Sequence, residues 1–551
     1  MKRAFFSPRS RLAAPLLSVC LLLVALPARS QAPGPGLAWS LGYDPETFDP
    51  AKVDDQASEL VRYLTAGVLL RVNRATGAVE PSLAESWAVS PDGRTATFHL
   101  RRGLLFSDGL PLSAADVAWS IRRVLAQETA APVAEEFLRP REVSVEAPDA
   151  ATVIVRLPAR LVELDHIFDE VAIEPQNRPS AAQVTAGPFR LAAYQRGQFV
   201  RLERNPHYWK HDASGAPLPY LPSLQLDIVA SDEQDHLRFA RGQYGLLNQP
   251  SPDYFNLLAR TMPQAAHDLG PSLNTEQLWF NQAPTAPLPA YEKQWFATTA
   301  FRVAVSRAIH RADLVRLAYA GHATPAYGFI SPANHAWYDP RLEAPHEDVT
   351  AARALLASAG FRRAGSGSHP VLLDPTGHPV RFSILTNAGN APRARMATLI
   401  QQDLQALGIE TTLVALDFPA LMERLMHTQN YEACLLGLAN VDPDPNAAMN
   451  LWLSSSPNHQ WSPSEKVPAT PWEKQIDVAM RAQATAPTFA ERLRAVKQVQ
   501  AIVAEQQPFL YLVYPNVLYG VSPALAGVQL SILQPGAVWN IDTLHWAKRK
   551  P

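Results

Sequence analysis

Apolar and polar residues alternate along this chain in two rhythms, one typical of strands and the other of helices. Every second position is apolar, as in a half-buried strand, at residues 37–43, 95–100 and 224–229, and residues 409–416 show a similar alternation of Ile409, Thr411 and Leu413. Apolar positions recur at helical spacing in residues 56–70, 301–319, 351–359, 392–407 and 491–506. Strand and helix patterns interleave over most of the length, which predicts an α/β protein.

Start and stop signals bound several of the predicted helices. Ser113 precedes an apolar stripe and is followed by Asp116, the arrangement of a helix N-cap with an acid in the first turn. Gly360 and Gly408 stand directly after two helical patterns, where a residue free to adopt positive φ ends a helix.

Length and charge narrow the class of protein. The chain has 551 residues, more than one hydrophobic core usually organises, so two or three lobes are expected. Its formal net charge of −2 argues against nucleic acid or an anionic membrane as the main partner. The 49 prolines are spread along the chain, which favours rigid loops over disorder.

The N-terminal segment is typical of an export signal. Residues 1–30 combine basic residues, a short apolar run and small residues before Gln31, so we expect a cleaved signal peptide and a periplasmic product. A lipoprotein anchored at Cys20 is the less favoured alternative, because the bulky Val19 stands where a small residue is preferred. Cleavage would leave Cys434 as the remaining cysteine, in an apolar strand-like run that predicts a buried thiol.

The sequence contains no strong catalytic or metal-binding motif. The sequence contains no G-x-S-x-G elbow, H-E-x-x-H pair or phosphate-binding loop. The segment from Asp442 begins like a calcium loop but has Ala447 and Leu453 where that loop needs Gly and Glu. His207 and His211 have a spacing that could share a metal on a helix, yet Pro206 disfavours a helix there. We therefore predict no catalytic residue, metal or cofactor, and an exported hydrolase stays the alternative class because triads are assembled in space.

Two segments carry a family resemblance. The stretch PSLAESWAVSPDGRTATFHLRRGLLFSDGLPLSAADVAWSIRRVL, residues 81–125, resembles the signature region of the family 5 extracytoplasmic solute-binding proteins. The strand pair that begins at Gly187-Pro188-Phe189 and ends in LERNPHYW, residues 202–209, resembles a second segment of the same family. These proteins bind peptides or nickel and deliver them to ABC importers. The resemblance extends from about Leu37 to the C-terminus.

The resemblance implies a fold and its division. We expect a periplasmic binding protein-like two-lobe clamp with an additional domain, which follows a signal peptide at residues 1–30. Lobe I would comprise residues 31–70, 185–275 and 510–551, the additional domain II residues 71–184, and lobe III residues 276–509. A ligand would bind between the lobes, because closure buries it on both sides.

The resemblance also implies ligand contacts. Matching positions to the family places Asp54, Asp55, Gln56, Trp279, Asn281, Asn387, Asn440 and Asp442 at the cleft. Each has a structural alternative: Trp279 also suits a core position, Asp54 and Asp55 a solvated helix start, and Asp442 a turn.

One departure from the family concerns the aspartate that holds the α-amino group of a peptide. In an ungapped match this position is Val441, and Asp442 lies one residue further along, where a strand side chain points the opposite way. The resemblance therefore predicts capture of a peptide or peptide-like solute for an ABC permease by a monomer, with weak dependence on a free amine. A sugar-like or opine-like solute or a metal chelate stays an alternative ligand.

Overall fold

The computed structural model describes residues 36–137, 142–161, 164–177, 184–229, 231–342, 347–365, 370–440 and 443–547. The predicted signal peptide with Cys20, and the pair Val441 and Asp442, lie outside these residues. Within the described part, no helix is both long and apolar enough to cross a lipid bilayer.

The strands are numbered in chain order. They are β1 (Leu37–Leu41), β2 (Leu70–Val72), β3 (Val79–Pro81), β4 (Ala84–Val89), β5 (Thr95–Leu100), β6 (Ser144–Glu146), β7 (Thr152–Arg156), β8 (Phe189–Gln195), β9 (Phe199–Arg204), β10 (Ser223–Ile228), β11 (Leu246–Asn248), β12 (Ala266–Pro271), β13 (Thr275–Phe280), β14 (Ala323–Pro325), β15 (Arg362–Ala364), β16 (Val371–Leu373), β17 (Arg381–Asn387), β18 (Glu410–Leu416), β19 (Ala433–Leu438), β20 (Phe509–Val521), β21 (Leu525–Ala526) and β22 (His545–Trp546).

The α-helices are numbered in the same way. They are α1 (Gln56–Thr65), α2 (Ala114–Leu125), α3 (Asp232–Ala240), α4 (Pro252–Thr261), α5 (Ala290–Ala297), α6 (Thr299–Ala308), α7 (Arg311–Asp313), α8 (Val349–Ser358), α9 (Ala391–Leu407), α10 (Phe418–Met422), α11 (Met449–Trp452), α12 (Pro471–Thr485) and α13 (Phe489–Gln506). The short helices α7 and α10 each continue into a π-helical turn, at Leu314–Ala318 and Glu423–His427.

Lobe I is built on a four-stranded sheet in the order β1-β10-β9-β8. β1 runs parallel to β10, and the other neighbours are antiparallel. Its core joins α1 to this sheet and to the C-terminal segment through Leu37, Trp39, Leu64, Val200, Leu226, Val517, Tyr519 and Leu544. The two ends of the described chain therefore share one core.

Domain II contains the antiparallel sheet β4-β5-β7-β6. The predicted N-cap of α2 is confirmed, because Ser113 and Asp116 form a capping box in which the Ser113 N–H donates to Asp116 Oδ2 at 2.9 Å. This helix buries its apolar stripe against the sheet in a core that includes Phe98, Phe106, Val117, Ile121, Val153 and Phe168.

An eight-stranded sheet follows the path β11-β20-β13-β19-β17-β18, with β12 and β14 also paired to β20, and lobe III is built around its β13-β19-β17-β18 part. β17 runs parallel to both β18 and β19, and helices α6, α8 and α9 cover this part of the sheet. Cys434 of β19 is fully buried, as its apolar surroundings predict, and burial raises the pKa of its thiol.

The strand β20 connects the two lobes. Its N-terminal half pairs with β13, with Tyr511 opposite Gln277, and its C-terminal half pairs with β11, with Tyr519 opposite Asn248. Pro515 and Asn516 lie between these halves, beside the step from lobe III to lobe I. The lobes therefore share a continuous strand rather than only flexible linkers.

Two predicted helices are shorter than their apolar pattern. The helix expected at 56–70 ends at Thr65, whose carbonyl accepts from Gly187 N–H; a Cβ at Gly187 would lie 2.2 Å from that oxygen. The helix expected at 301–319 breaks after Ala308, because the buried Arg311 guanidinium donates to the carbonyl groups of Ser306 and Tyr511. In both places a tertiary contact takes the carbonyl groups that a longer helix would use.

Candidate ligand-binding site

A cavity of about 560 Å³ lies where the two lobes meet. Lobe I contributes the starts of α3 and α4, and lobe III contributes the start of α9 and the end of β19. Polar and ionisable lining residues include Asp232, Asp253, Tyr254, Asn274, Glu276, Tyr319, His322, Asn390, Arg393 and Asn516. Its volume falls in the range of small-molecule sites, ~300–1,000 Å³. A second cavity beside α1 holds about 30 Å³, room for little more than water.

A nearly buried ion pair forms part of the lobe III wall. Arg393 Nε lies 2.8 Å from Glu276 Oε2, and its terminal nitrogen Nη2 lies 2.7 Å from Glu276 Oε1. The two side chains are only 10% and 7% exposed. Burial alone would lower the pKa of Arg393, but the Glu276 carboxylate outweighs it and raises that pKa. The pair fixes the start of α9 against β13.

The ion pair depends on the absence of a side chain at residue 437. A Cβ on Gly437 would lie 2.6 Å from Arg393 Nη2 and 2.9 Å from Glu276 Oε1. Tyr319 completes the group, since its hydroxyl donates to Glu276 Oε1 at 3.2 Å and burial raises its pKa well above the ordinary value. The phenol therefore stays neutral and acts as a donor.

The N-terminus of α9 opens onto the cavity. The Asn390 side chain caps the helix by accepting from Arg393 N–H at 2.9 Å, and residues 389–393 all line the cavity. Because the helix dipole places partial positive charge at this end, the lobe III wall favours an anionic or carbonyl group of a ligand.

The lobe I wall carries acidic residues. Asp232 and Asp253 lie in the first turns of α3 and α4. Asp253 Oδ2 lies 2.7 Å from a terminal nitrogen of Arg395 on α9, so this ion pair spans the two lobes. Both walls therefore combine helix N-termini with charged side chains, Asp232 and Asp253 on lobe I and the Glu276–Arg393 pair on lobe III.

A second polar bridge holds the lobes near β20. His322 Nδ1 lies 2.6 Å from Asp268 Oδ2, and the Asn516 amide donates to the same carboxylate at 2.9 Å. His322 Nε2 also lies 3.1 Å from Asn256 Oδ1 of α4. This network places a histidine from lobe III between two polar residues of lobe I.

The predicted contacts near residue 55 lie at the start of α1. Asp55 is the N-cap, and its Oδ1 accepts from Ala57 N–H and Ser58 N–H at 3.0 and 2.9 Å. Asp54 and Gln56 are exposed beside it. These three residues therefore form the solvated start of a helix, which was the structural alternative to ligand contact. None of them lines the cavity.

The predicted contacts at Trp279 and Asn281 are buried in lobe III. Both side chains are 0% exposed. The Trp279 indole N–H donates to Tyr431 Oη at 3.2 Å, and the Asn281 amide donates to the carbonyl groups of Gln429 and Tyr431. The structure places both in the core rather than at the cavity, because the cavity reaches only the first two residues of β13, Thr275 and Glu276.

Asn387 and Asn440 do not line the cavity themselves, but each forms a hydrogen bond with a residue that does. Asn387 Oδ1 accepts from the Arg393 guanidinium, and Asn440 N–H donates to Asn274 Oδ1 at 2.9 Å. Asp442, with Val441 at the predicted gripping position, lies outside the described residues. The structure thus brings Asn387 and Asn440 next to the lining residues Arg393 and Asn274.

The two weak metal motifs are occupied by other contacts. His211 Nδ1 lies 3.1 Å from the carbonyl of Trp209, and residues 206–211 are not helical. Asp444 Oδ1 accepts from Asn446 N–H at 2.8 Å and pairs with Arg492 at 2.6 Å. Asp444, the third position of the calcium-like segment, therefore stabilises a turn and pairs with a buried arginine.

Sequence reasoning missed Glu276, Tyr319, His322 and Arg393 as site residues. A signal for one of them was present: Glu276 is a charged residue inside the otherwise apolar-rich strand TEQLWF, and a buried charge requires a partner. Arg393 follows a predicted helix start, where a basic residue opposes the helix dipole. Both residues therefore stand out as charged residues in unfavourable positions. Their separation of 117 positions in the sequence gives no sign that they pair with each other.

Bacterial transport proteins match most of this chain in sequence. A probable ABC transporter-binding protein of Deinococcus radiodurans is 27% identical over 565 residues, which cover 92% of each protein. The probable ABC transporter periplasmic-binding protein SapA of Escherichia coli is 25% identical over 87% of this chain and 86% of its own length.

Solved structures show the same fold at lower identity. The oligopeptide-binding protein AppA from Bacillus subtilis, in complex with a nonapeptide, has a TM-score of 0.74 and 21% identity, over 93% of this chain and 99% of its own. NikA from Brucella suis, in complex with Fe(III)-EDTA, has a TM-score of 0.78 and 20% identity, over 93% and 100%. The predicted periplasmic binding protein-like two-lobe clamp is confirmed.

The family follows from a match to most of the chain. The model described as "Bacterial extracellular solute-binding proteins, family 5 Middle" matches residues 78–460, which include the start of α9, β13 and most of the cavity wall. Relatives found by sequence and by structure are substrate-binding proteins. This chain belongs to the family 5 bacterial extracellular solute-binding proteins.

Proposed function

We propose that this protein captures a peptide or peptide-like solute between its lobes and delivers it to the membrane permease of an ABC importer. The observation that carries the proposal is the cavity of about 560 Å³ whose walls come from both lobes. A ligand bound there contacts both walls at once, so binding favours the closed arrangement of the lobes. Closure then presents one composite surface to a permease.

The polarity of the walls supports a ligand with separated charges or dipoles. The α9 N-terminus suits a carboxylate or carbonyl group, while the exposed Asp232 on the opposite wall suits an ammonium or amide N–H. A peptide carries such groups at regular spacing along its backbone. Two relatives add to this support, since AppA of Bacillus subtilis is named an oligopeptide-binding protein and SapA of Salmonella typhimurium a peptide transport periplasmic protein.

The remaining parts of the proposal concern location and assembly. We expect the mature protein to begin near Gln31, to reside in the periplasm without a lipid anchor, and to act as a monomer without catalysing a reaction. N-terminal sequencing of the secreted form tests the first part. A lipidated Cys20 at the mature N-terminus would overturn it.

The ligand is best identified from the protein itself. Protein purified without added ligand is denatured, and mass spectrometry then identifies the compounds it releases. Calorimetry with each compound gives its affinity, and small-angle scattering tests whether the radius of gyration falls on binding. A peptide that binds and compacts the protein is the expected result; an opine-like solute or a metal chelate as the released high-affinity ligand would replace the peptide part of the proposal.

A matched pair of variants tests the location of the site. Asp232 and Glu233 are adjacent acidic residues in the first turn of α3, and both are exposed, but Asp232 lines the cavity. Asp232→Asn is expected to weaken ligand binding by roughly tenfold if it meets a ligand cation, and Glu233→Gln to leave it unchanged. Equal effects would place the ligand elsewhere, and steady conversion of the bound compound would favour the hydrolase alternative.

A further inference from the structure

A buried cluster of metal-ligating groups lies in lobe III, outside the set of described residues that lines the cavity. His459, Glu465 and Glu473 bring one imidazole nitrogen and two carboxylate oxygens within 4.8 Å of one another. His459 is 1% exposed and Glu473 is 3% exposed. Placing the buried Glu473 carboxylate so close to the partly buried Glu465 carboxylate is unfavourable unless a positive charge accompanies them.

The hydrogen bonding of His459 leaves one nitrogen available. Its Nδ1 lies 3.1 Å from the carbonyl oxygen of Leu451, which can only accept, so Nδ1 carries a hydrogen. Nε2 faces Glu473 Oε1 at 3.7 Å, which is too far for a hydrogen bond, and this buried nitrogen has no hydrogen-bond partner. A metal-bound histidine characteristically donates its other nitrogen to a backbone carbonyl in this way.

The carboxylates of Glu465 and Glu473 each accept hydrogen bonds from residues outside the cluster. Glu465 Oε1 is buried without a hydrogen-bond partner, while its Oε2 accepts from Ala469 N–H at 3.0 Å. Glu473 Oε1 accepts from the Trp461 indole at 2.9 Å, and its Oε2 accepts from Thr470 N–H at 2.8 Å. Each carboxylate is therefore oriented by outer contacts that leave lone pairs facing the cluster.

We propose that His459, Glu465 and Glu473 form a structural site for a divalent transition-metal ion, with zinc the expected ion. Two ligands each ~2.1 Å from a tetrahedral zinc ion lie ~3.4 Å apart. The observed 3.7 Å between His459 Nε2 and Glu473 Oε1 is close to that separation. One imidazole with two carboxylates suits zinc better than magnesium or calcium, which prefer oxygen ligands alone.

The position of the cluster indicates what the ion would stabilise. His459 and Glu465 lie in residues 453–470, which join α11 to α12 without a strand or helix. A connection longer than ~12–15 residues without secondary structure is uncommon in a compact domain. Glu473 lies in the first turn of α12, so an ion shared by all three residues would hold this connection against the helix that follows it.

The test uses the full mature protein, stripped with a chelator and then supplied with zinc chloride. We expect one tightly bound zinc ion per chain after gel filtration, and a rise of roughly 5–10 °C in the denaturation midpoint when free zinc is a hundredfold above its Kd. His459→Gln and Glu465→Gln should each lose the bound ion and the rise. Glu465 is partly exposed, so its variant remains informative if His459→Gln does not fold.

Two further histidine variants serve as controls. His335 is exposed, and His322 lines the cavity, so His335→Gln detects surface binding and His322→Gln detects zinc held in the ligand cavity. Both are expected to keep the bound ion. Absence of bound zinc in the wild-type protein, or its retention in both His459→Gln and Glu465→Gln, would overturn the proposal.

Discussion

The ion pair between Glu276 and Arg393 gives a prediction about stability that can be worked from its geometry. Arg393→Met keeps much of the side-chain volume but removes both nitrogens that lie 2.7 and 2.8 Å from the carboxylate. Glu276, 7% exposed, then keeps only the Tyr319 hydroxyl as a described donor. A buried carboxylate deprived of its cation costs ~3–5 kcal/mol, and we expect the free energy of unfolding to fall by that amount.

A double variant separates the charge from the packing. Glu276→Gln combined with Arg393→Met removes both charges, so the cost of an unpaired buried carboxylate disappears. We expect the double variant to recover more than half of the loss, ~2–3 kcal/mol, and Glu276→Gln measured alone then completes the cycle that gives the coupling energy between the two residues. A smaller loss remains because the guanidinium also contacts Asn387.

The assay is urea denaturation of ligand-free protein, followed by tryptophan fluorescence and circular dichroism. Several lobes can unfold separately, so the comparison concerns the transition that reports on lobe III. Arg316→Met is the matched control, since Arg316 pairs with Asp313 at 2.6 Å but the two side chains are 67% and 46% exposed. We expect a change below ~0.5 kcal/mol there. Equal stability of the Arg393 and Arg316 variants, or a double variant as unstable as Arg393→Met, would refute the reasoning.

Three further predictions concern pH, salt and ligand chemistry. The hydrogen bond to Asp403 raises the pKa of His310 above its usual 6.5, so its contribution to stability is complete below that pH and is lost as pH rises through the raised value. The difference in melting temperature between wild-type protein and His310→Gln should therefore shrink from pH 6 to pH 8; a constant difference would contradict this. Arg395→Gln removes the exposed pair with Asp253 across the cavity, and calorimetry should show at most ~fivefold weaker ligand binding, with a smaller effect at high salt. A valine at position 441 predicts that free and N-acetylated forms of one peptide bind with similar affinity; a preference for the free form above ~tenfold, abolished by Asp442→Asn, would contradict it.

Periodicity predicted the secondary structure well where local signals agreed with the tertiary fold. β5 occupies the predicted residues 95–100, and α9 spans residues 391–407 with Gly408 at φ 87° after its end. The helix expected at 301–319 was wrong in its middle, because the buried Arg311 makes contacts 200 positions away that no local window can detect.

The candidate site was harder to predict than the fold. Position matching brought Asn387 and Asn440 to the cavity margin, but it also selected Trp279 and Asn281, which β13 directs into the core. The cavity reaches only the start of β13, at Thr275 and Glu276, so residues further along this part of the chain lie beyond it. The domain boundaries remain a prediction. The hydrophobic cores of lobe I, domain II and lobe III are separate clusters in the structure.

The sharing of one core by both ends of the chain has a consequence for folding. Leu37 and Trp39 of β1 pack in the same cluster as Tyr519 and Leu544, so lobe I contains contacts between residues separated by nearly the whole sequence. Such contacts form slowly, because most of the chain must be closed into a loop before they stabilise anything. Lobe I therefore cannot complete its core until the C-terminal segment reaches it, whereas the core of domain II is drawn from residues 51–186 and can form without that segment. The first strand thus stays without its C-terminal packing partners until nearly the whole chain is available to fold.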